Sequence, residues 1–318
     1  MQRDSLPNIV FMGTPEFAVP SMDALLKAGY NIPLLVCQPD KKKGRGQKLQ
    51  FPPTKEFALQ NNIEVFQPTR LKDSASIDKI ASFNPDFCVV IAYGRILPKE
   101  ILELPKNGCI NLHASLLPSW RGAAPIQFSL LNGDTKTGVC TMLIDEGMDT
   151  GDLLLTHETD VGLHECVAEL TQRLIKIGAD LVVETIRGFE SIQPVPQDHD
   201  KATYARLLTK EDRYINWSKK ASEIYYQYRA FSPSPGVVTG FRGKRLTIKK
   251  MDWVEENEDS ASVAPGTILS IDKSGFTVAC GQGKISILNC QPESKKAIPA
   301  KDFVNGYQVK TGEILTGL

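Results

Sequence analysis

Asn111 and His113 stand two residues apart at the end of the apolar run Cys109-Ile110-Asn111-Leu112-His113. If that run is a strand, alternate side chains leave the same face, and a neutral amide donor lies beside an imidazole. The run continues into Ala114-Ser115-Leu116-Leu117-Pro118. Downstream follows an acidic, glycine-punctuated loop, Asp145-Glu146-Gly147-Met148-Asp149-Thr150-Gly151-Asp152, able to bring a carboxylate to the pair. An amide donor, a base and an acid that orients the base are the parts needed for acyl transfer, in which charge gathers on a carbonyl oxygen while a proton moves. A lone histidine at a strand end is usually structural; a pair with an acidic loop downstream argues for function. Asp149 stands foremost in the loop. Asp145 and Glu146 lie near a strand end and Asp152 fits a cap, so residue types do not rank the four firmly.

The elements that must position these groups read as strands alternating with helices. Ile9 to Gly13, Ile32 to Cys37, Phe87 to Tyr93, Cys109 to His113 and Val139 to Ile144 are short apolar runs. Phe87-Cys88-Val89-Val90-Ile91-Ala92-Tyr93 is apolar throughout, too short for a helix, and fits a strand buried on both faces. Helical patterns run from Pro15 to Ala28, with proline at the start and Gly29 at the end, and over 98–104, 123–131 and 164–188. Such alternation predicts an α/β unit with a doubly wound, mainly parallel sheet, where ligands bind beyond the carboxyl ends of the strands. Asn111 and His113 fall at such an end.

From Ser191 to Ala202 the chain turns proline-rich and polar, which reads as a linker. The division is a first domain over 1–190, a linker over 191–209 and a second domain over 210–318. After a helix at 218–231, short strands at 236–241, 246–253, 266–271, 276–279 and 285–288 follow with glycine turns and no helix between them, the pattern of a small β-barrel. Glu255-Glu256-Asn257-Glu258-Asp259 reads as a solvated loop.

The composition, 42% hydrophobic and 23% charged, is that of a globular protein with real cores. No apolar stretch reaches the roughly 18 residues of a membrane span, and no apolar signal region follows Met1-Gln2-Arg3-Asp4-Ser5, so no membrane partner is expected. The seven cysteines form no CxxC pair and sit in apolar runs, as reduced core residues of a cytosolic protein do. The net charge of zero hides a split. From Lys201 onward 18 Lys and Arg face 12 Asp and Glu, against 19 and 25 before it. A basic C-terminal part is consistent with a polyanionic partner.

Other motifs carry weaker signals. Gly13-Thr14-Pro15 occupies the place of a dinucleotide fingerprint but lacks GxGxxG, and reads as a tight strand-to-helix turn. Asp40-Lys41-Lys42-Lys43-Gly44-Arg45-Gly46-Gln47-Lys48 is a basic surface loop at the sheet edge that carries the candidate site, where it could meet phosphates. Ser115 to Pro125 fits a pocket wall. Arg242, Lys244, Arg245, Lys249 and Lys250 cluster on one hairpin, with Lys244 and Arg245 on different faces.

Taken together, these residues resemble the methionyl-tRNA formyltransferase family over essentially the whole chain. Gly13-Thr14-Pro15-Glu16-Phe17-Ala18-Val19-Pro20 resembles its opening motif, and the loop around Gly44-Arg45-Gly46 its tRNA-contacting insertion. Asn111-x-His113-x-Ser115-Leu116-Leu117-Pro118 with Trp120-Arg121-Gly122 resembles its formyl-folate site, and Asp145 to Gly151 its catalytic loop. The folate signature is shared with glycinamide-ribonucleotide formyltransferases and formyl-folate hydrolases; the opening motif, basic insertion and basic barrel favour the tRNA enzymes. Phe51-Pro52-Pro53-Thr54 departs slightly from the stretch expected after the loop. The resemblance implies a Rossmann-like formyltransferase domain with an OB-like barrel, and settles the acid as Asp149 beside Asn111 and His113. It implies that Ser115, Leu116, Leu117 and Pro118 contact 10-formyltetrahydrofolate. It further implies that Lys43, Arg45 and Lys48, with Arg242, Lys244, Arg245 and Lys249, hold initiator methionyl-tRNA. A cytoplasmic monomer without metal is expected.

Overall fold

Apolar runs without alternation demand a sheet covered on both faces. The computed structural model describes residues 6–43, 48–254 and 263–317. Arg45 and the acidic run 255–259 therefore lie outside the described residues, as do the side chains of Lys43 and Lys48. The chain divides into two units interleaved along the sequence: residues 1–122, 136–160 and 171–204 in one, and 123–135, 161–170 and 205–318 in the other. Among the described residues no helix is long and apolar enough to cross a membrane.

The first unit holds strands β1 (Asn8–Gly13), β2 (Asn31–Val36), β3 (Glu64–Phe66), β4 (Phe87–Ile91), β5 (Cys109–His113), β6 (Lys136–Leu143) and β7 (Leu153–Asp160). They form one sheet in the order β7-β6-β5-β4-β1-β2-β3. The five strands from β5 to β3 run parallel, while β6 pairs antiparallel with β5 and β7 antiparallel with β6. Strand β7 is not predicted by the sequence pattern, since Leu-Leu-Leu-Thr-His-Glu-Thr-Asp is apolar only at its start and exposed beyond it, as an edge strand is. Strands β1 and β4 are neighbours from which the order grows both ways, so their carboxyl ends mark the switch point of the sheet.

In chain order the helices are α1 (Val19–Lys27), α2 (Pro53–Gln60), α3 (Ser74–Ala81), α4 (Lys99–Leu102), α5 (Pro125–Asn132), α6 (Val167–Gly188), α7 (Ala221–Phe231) and α8 (Ala300–Tyr307). Two glycines allow close approach. A Cβ at Gly13 would meet Ala18 Cβ at 2.8 Å and Ile91 O at 2.9 Å, so the β1–α1 junction is a tight turn. A Cβ at Gly178 of α6 would meet Leu112 Cδ2 at 2.7 Å, so α6 seats directly on β5 between Asn111 and His113.

Beyond the ends of β1 to β3 a polar knot anchors the base of the basic loop. Lys55 Nζ donates to Asp40 Oδ2 and Gln67 Oε1, each at 2.8 Å, and Gln67 Nε2 donates to Asp40 Oδ1 at 2.8 Å. The Lys55 partnership holds the Asp40 carboxyl below the usual carboxylate range. From Asp40 the chain enters an antiparallel ladder of Lys41–Lys43 with Lys48–Gln50. The stretch that departs from the family pattern serves this region: Phe51 lies under the Lys55 ammonium at 4.0 Å, and Thr54 Oγ1 donates to Gly13 O at 2.9 Å.

The second unit is built on strands β8 (Val237–Phe241), β9 (Lys244–Val254), β10 (Ile268–Ile271), β11 (Phe276–Ala279) and β12 (Lys284–Pro292), paired antiparallel in the order β8-β9-β12-β11-β10. Irregular register within β9 at Ile248 to Met251 bends the sheet. The C-terminal segment joins its edges. Gly240 and Thr316 exchange N–H···O bonds of 2.8 and 3.0 Å, and Ile268 N donates to Glu313 O at 2.8 Å. Closure removes both open edges. Helix α8, absent from the sequence reading, packs Phe303 against Phe241 and Phe276.

Candidate active site

With Leu112 turned to α6, Asn111 and His113 leave the opposite face of β5. Asn111 is half-buried, and the His113 side chain is only 6% exposed. The His113 Nε2 lies 3.0 Å from Trp120 O, and Nδ1 lies 3.7 Å from Asp149 Oδ2. A carbonyl oxygen only accepts, so Nε2 carries the hydrogen and Nδ1 is the nitrogen left to gain or lose a proton. Asp149 Oδ2 also accepts the Gly122 N–H at 2.7 Å. The three-residue stretch Trp120-Arg121-Gly122 thereby orients both members of the pair through its main chain.

The acidic loop resolves by contact. Asp145 is taken up within its own turn, accepting from Thr150 Oγ1 at 2.6 Å and Gly147 N at 3.0 Å. Glu146 is exposed, 3.9 Å from Lys99. Asp152 extends the strand pairing through its carbonyl, which accepts from Leu143 N at 2.9 Å. Asp149 is the loop carboxylate that faces the imidazole, from a backbone with φ of +54°. That conformation is uncommon for a residue with a Cβ and marks a position held by its surroundings.

Segment 115–118 turns largely inward. Ser115 Oγ donates to Ser119 O at 2.5 Å, Leu117 packs with Cys140 and Met142, and Leu116 borders Gly138. Cys140 donates to Ser115 O at 3.3 Å, and burial pushes its thiol up to about 12.

A second layer escaped the sequence reading. Arg121 is 2% exposed and, among the described residues, pairs with no carboxylate. Its Nε and one terminal nitrogen donate to Gln197 Oε1 at 3.2 and 2.8 Å, and the same terminal nitrogen lies 3.0 Å from His199 Nδ1. Gln197 Nε2 donates to Asp149 O at 3.0 Å and Gly151 O at 2.7 Å. Gln197 and His199 lie in the proline-rich stretch read as a linker. That stretch belongs to the first unit, tied by Val195 to Leu153 and by Thr203 O to Arg121 N. A buried arginine needs acceptors, but nothing in local sequence says where they come from.

The basic residues of the barrel divide. Arg242 grips Glu313 with both sides of its fork, at 2.7 and 2.9 Å, and donates to Tyr307 O, so its guanidinium pins the closing segment instead of standing free. Lys244 and Arg245 are exposed. Lys249 donates to Pro235 O at 2.9 Å, and Arg213, not anticipated from sequence, donates to Gly236 O at 2.7 Å. Burial lowers the affinity of Arg213 for its proton, and the charge of nearby Arg245 lowers it further.

Comparison with known sequences matches the formyl transferase family model to residues 7–186 and the formyl transferase C-terminal domain model to residues 207–308. The chain is 43% identical over 311 residues to the methionyl-tRNA formyltransferase of Acetivibrio thermocellus, covering 96% of this chain and 99% of the relative. It is 46% identical over 306 residues to that of Thermodesulfovibrio yellowstonii, covering 96% and 97%. Among solved structures it is similar to the N-formyltransferase of Helicobacter canadensis in complex with folinic acid and dTDP-3-aminofucose. That likeness of fold has a TM-score of 0.65 at 18% identity, over 89% of this chain and 99% of the other.

Proposed function

The chain belongs to the methionyl-tRNA formyltransferase family, and from that membership we infer that it transfers the formyl group of 10-formyltetrahydrofolate to the α-amine of methionine on initiator methionyl-tRNA. The observation that carries the proposal is Asn111 and His113 on one face of β5 with Asp149 turned toward the imidazole, in a chain nearly half identical to enzymes named for this reaction. The product, formylmethionyl-tRNA, serves translation initiation, so the enzyme works in the cytoplasm.

The amine attacks the formyl carbon, the new C–N bond forms, and the bond from carbon to the folate nitrogen breaks. One proton leaves the amine and one reaches the departing nitrogen. The amine must be neutral to attack; a free α-amino group has a pKa of about 8, and an aminoacyl ester lowers it, so a weak base suffices. In the tetrahedral intermediate the charge rests on the former formyl oxygen, for which the Asn111 carboxamide is the neutral donor. His113, its Nε2 committed to Trp120 O, exchanges the proton through Nδ1 opposite Asp149. At 3.7 Å that pair is longer than a hydrogen bond and has to close by roughly 0.7 Å as the imidazole charges. Because Ser115, Leu116 and Leu117 turn inward, the folate lying along 115–118 meets main chain and Pro118 more than side chains.

For the tRNA, the exposed Lys244 and Arg245, with Lys249 and Arg213, offer cations to phosphates. Lys43, Arg45 and Lys48 form the group that meets the acceptor end. The deciding experiment is transfer of labelled formyl from 10-formyltetrahydrofolate to initiator methionyl-tRNA, with elongator methionyl-tRNA and free methionine as controls. Transfer to the initiator alone is expected. Transfer to a small amine, or release of formate without tRNA, would replace this function with that of a small-molecule transferase or hydrolase.

A further inference from the structure

We propose that Gln197 is a positioning residue that holds the Asp149 loop in its working conformation, its amide locked in one orientation by the buried charge of Arg121. The role rests on the formyl-transfer function above.

The amide has two chemically different ends, and its surroundings distinguish them without ambiguity. Arg121 can only donate, so the Gln197 atom it meets at 2.8 and 3.2 Å is the oxygen. Main-chain carbonyls only accept, so the atom facing Asp149 O and Gly151 O at 3.0 and 2.7 Å is the nitrogen. Both amide hydrogens are then spent on two carbonyls of one loop. His199 is constrained in the same way. Its Nδ1 faces a donor at 3.0 Å and therefore presents a lone pair.

The consequence falls on Asp149. Its positive φ is a conformation that few residues bearing a Cβ adopt unless their surroundings hold them there. Two contacts hold it there. The Gly122 N–H binds the carboxylate, and the Gln197 amide binds the carbonyl of the same residue. Arg121 links them, being both the neighbour of Gly122 and the partner of Gln197. The residues nearest to glutamine in size or chemistry do not do its job. Glutamate satisfies Arg121 but sets a carboxylate against two carbonyls. Asparagine is one methylene too short to reach both sides, and methionine fills the volume with no donor and only a weak thioether acceptor. The segment bearing Gln197 is itself tied at both ends, by Leu153–Val195 and by Thr203 to Arg121 and Trp120, so the amide acts from a fixed support.

The test compares Gln197→Glu and Gln197→Met with the unsubstituted chain in the formyl-transfer assay, measuring kcat and both KM values beside the melting temperature. Gln197→Met leaves a buried guanidinium short of acceptors and could fail to fold; Gln197→Glu keeps Arg121 paired and provides the second route. Since a displacement of about 1 Å costs on the order of 100-fold in rate, Gln197→Glu is expected to lower kcat by about 10- to 100-fold. Its KM values should stay within about threefold, and its melting temperature should fall, but by less than that of Gln197→Met, since Arg121 keeps its acceptor while the two carbonyls lose their donor. A kcat within twofold of the parent would overturn the proposal. So would a loss shared between kcat and both KM values in step with lost stability, which marks a merely structural residue. Absence of transfer by the unsubstituted chain would overturn the function first, and the positioning role with it.

Discussion

Replacing Gly178 by alanine sets two effects of known size against each other. In a helix interior, alanine is favoured over glycine by about 1 kcal/mol, and Gly178 lies well inside α6. Against this, the new Cβ would stand 2.7 Å from Leu112 Cδ2 and 3.2 Å from Cδ1. Carbon atoms pack at about 3.5–4.0 Å, so Leu112 or the helix must yield by close to 1 Å. Leu112 is buried in β5 with little room, and overpacking of this kind costs about 1–3 kcal/mol. Overpacking wins by a net of about 1 kcal/mol, a drop of roughly 2–4 °C in melting temperature for a unit of this size. The larger effect falls on turnover, because Leu112 is covalently between Asn111 and His113. If half of the displacement passes to them, kcat falls about tenfold, given on the order of 100-fold per ångström. Calorimetry and steady-state formyl transfer on Gly178→Ala test both numbers. Adding Leu112→Ala, which removes the obstructing atoms, should give a double variant more stable than the sum of the singles by at least 1 kcal/mol. A Gly178→Ala protein more stable than its parent by the full helix-propensity gain, with kcat intact, would refute the reasoning.

Asn111→Ala should lower turnover by about 100- to 1000-fold with tRNA affinity unchanged; a loss below tenfold would remove Asn111 from the oxyanion-donor role. Arg245→Ala should reduce the slope of log Kd against log salt for tRNA by roughly 0.7–0.9, whereas Arg242→Ala should leave the slope alone and lower the melting temperature, since its fork is held by Glu313. Burial pushes the Cys140, Cys280 and Cys290 thiols up to about 12, so alkylation of the native protein near pH 8 should modify half-buried Cys166 ahead of them; early labelling of Cys140, read by peptide mass spectrometry, would contradict the packing. Arg206 holds the Asp212 carboxyl down at about 2, below the unfolded value of about 3.9. Its contribution is therefore complete above pH ~4 and is lost as pH falls toward 2. Asp212→Asn should flatten the acid side of the melting-temperature profile over that interval, and an unchanged profile would argue against the pair.

What the sequence determined by itself lies within single elements. The uniformly apolar Phe87–Ile91 had to be a strand covered on both faces, Gly29 had to end α1, and the spacing of Asn111 and His113 placed both on one face once Cys109–His113 was a strand. Those outcomes follow from side-chain type, periodicity of two or 3.6, and backbone freedom, all carried by neighbouring residues. What only the tertiary structure decided concerns pairs distant along the chain. Four carboxylates in one loop are equivalent as residue types; which of them meets His113 depends on where Gly122 and Gln197 hold the loop. The proline-rich stretch 191–202 has the composition of a linker, yet it supplies the amide that closes over Asp149, because burial of Arg121 draws acceptors from 76 positions away. Arg242 looks the same as Arg245 in a basic hairpin, and only the return of the C-terminal segment, with Glu313, separates a structural clamp from an exposed cation. Closure of a long loop leaves no local periodicity, so the partners of a buried charge are set by the fold as a whole.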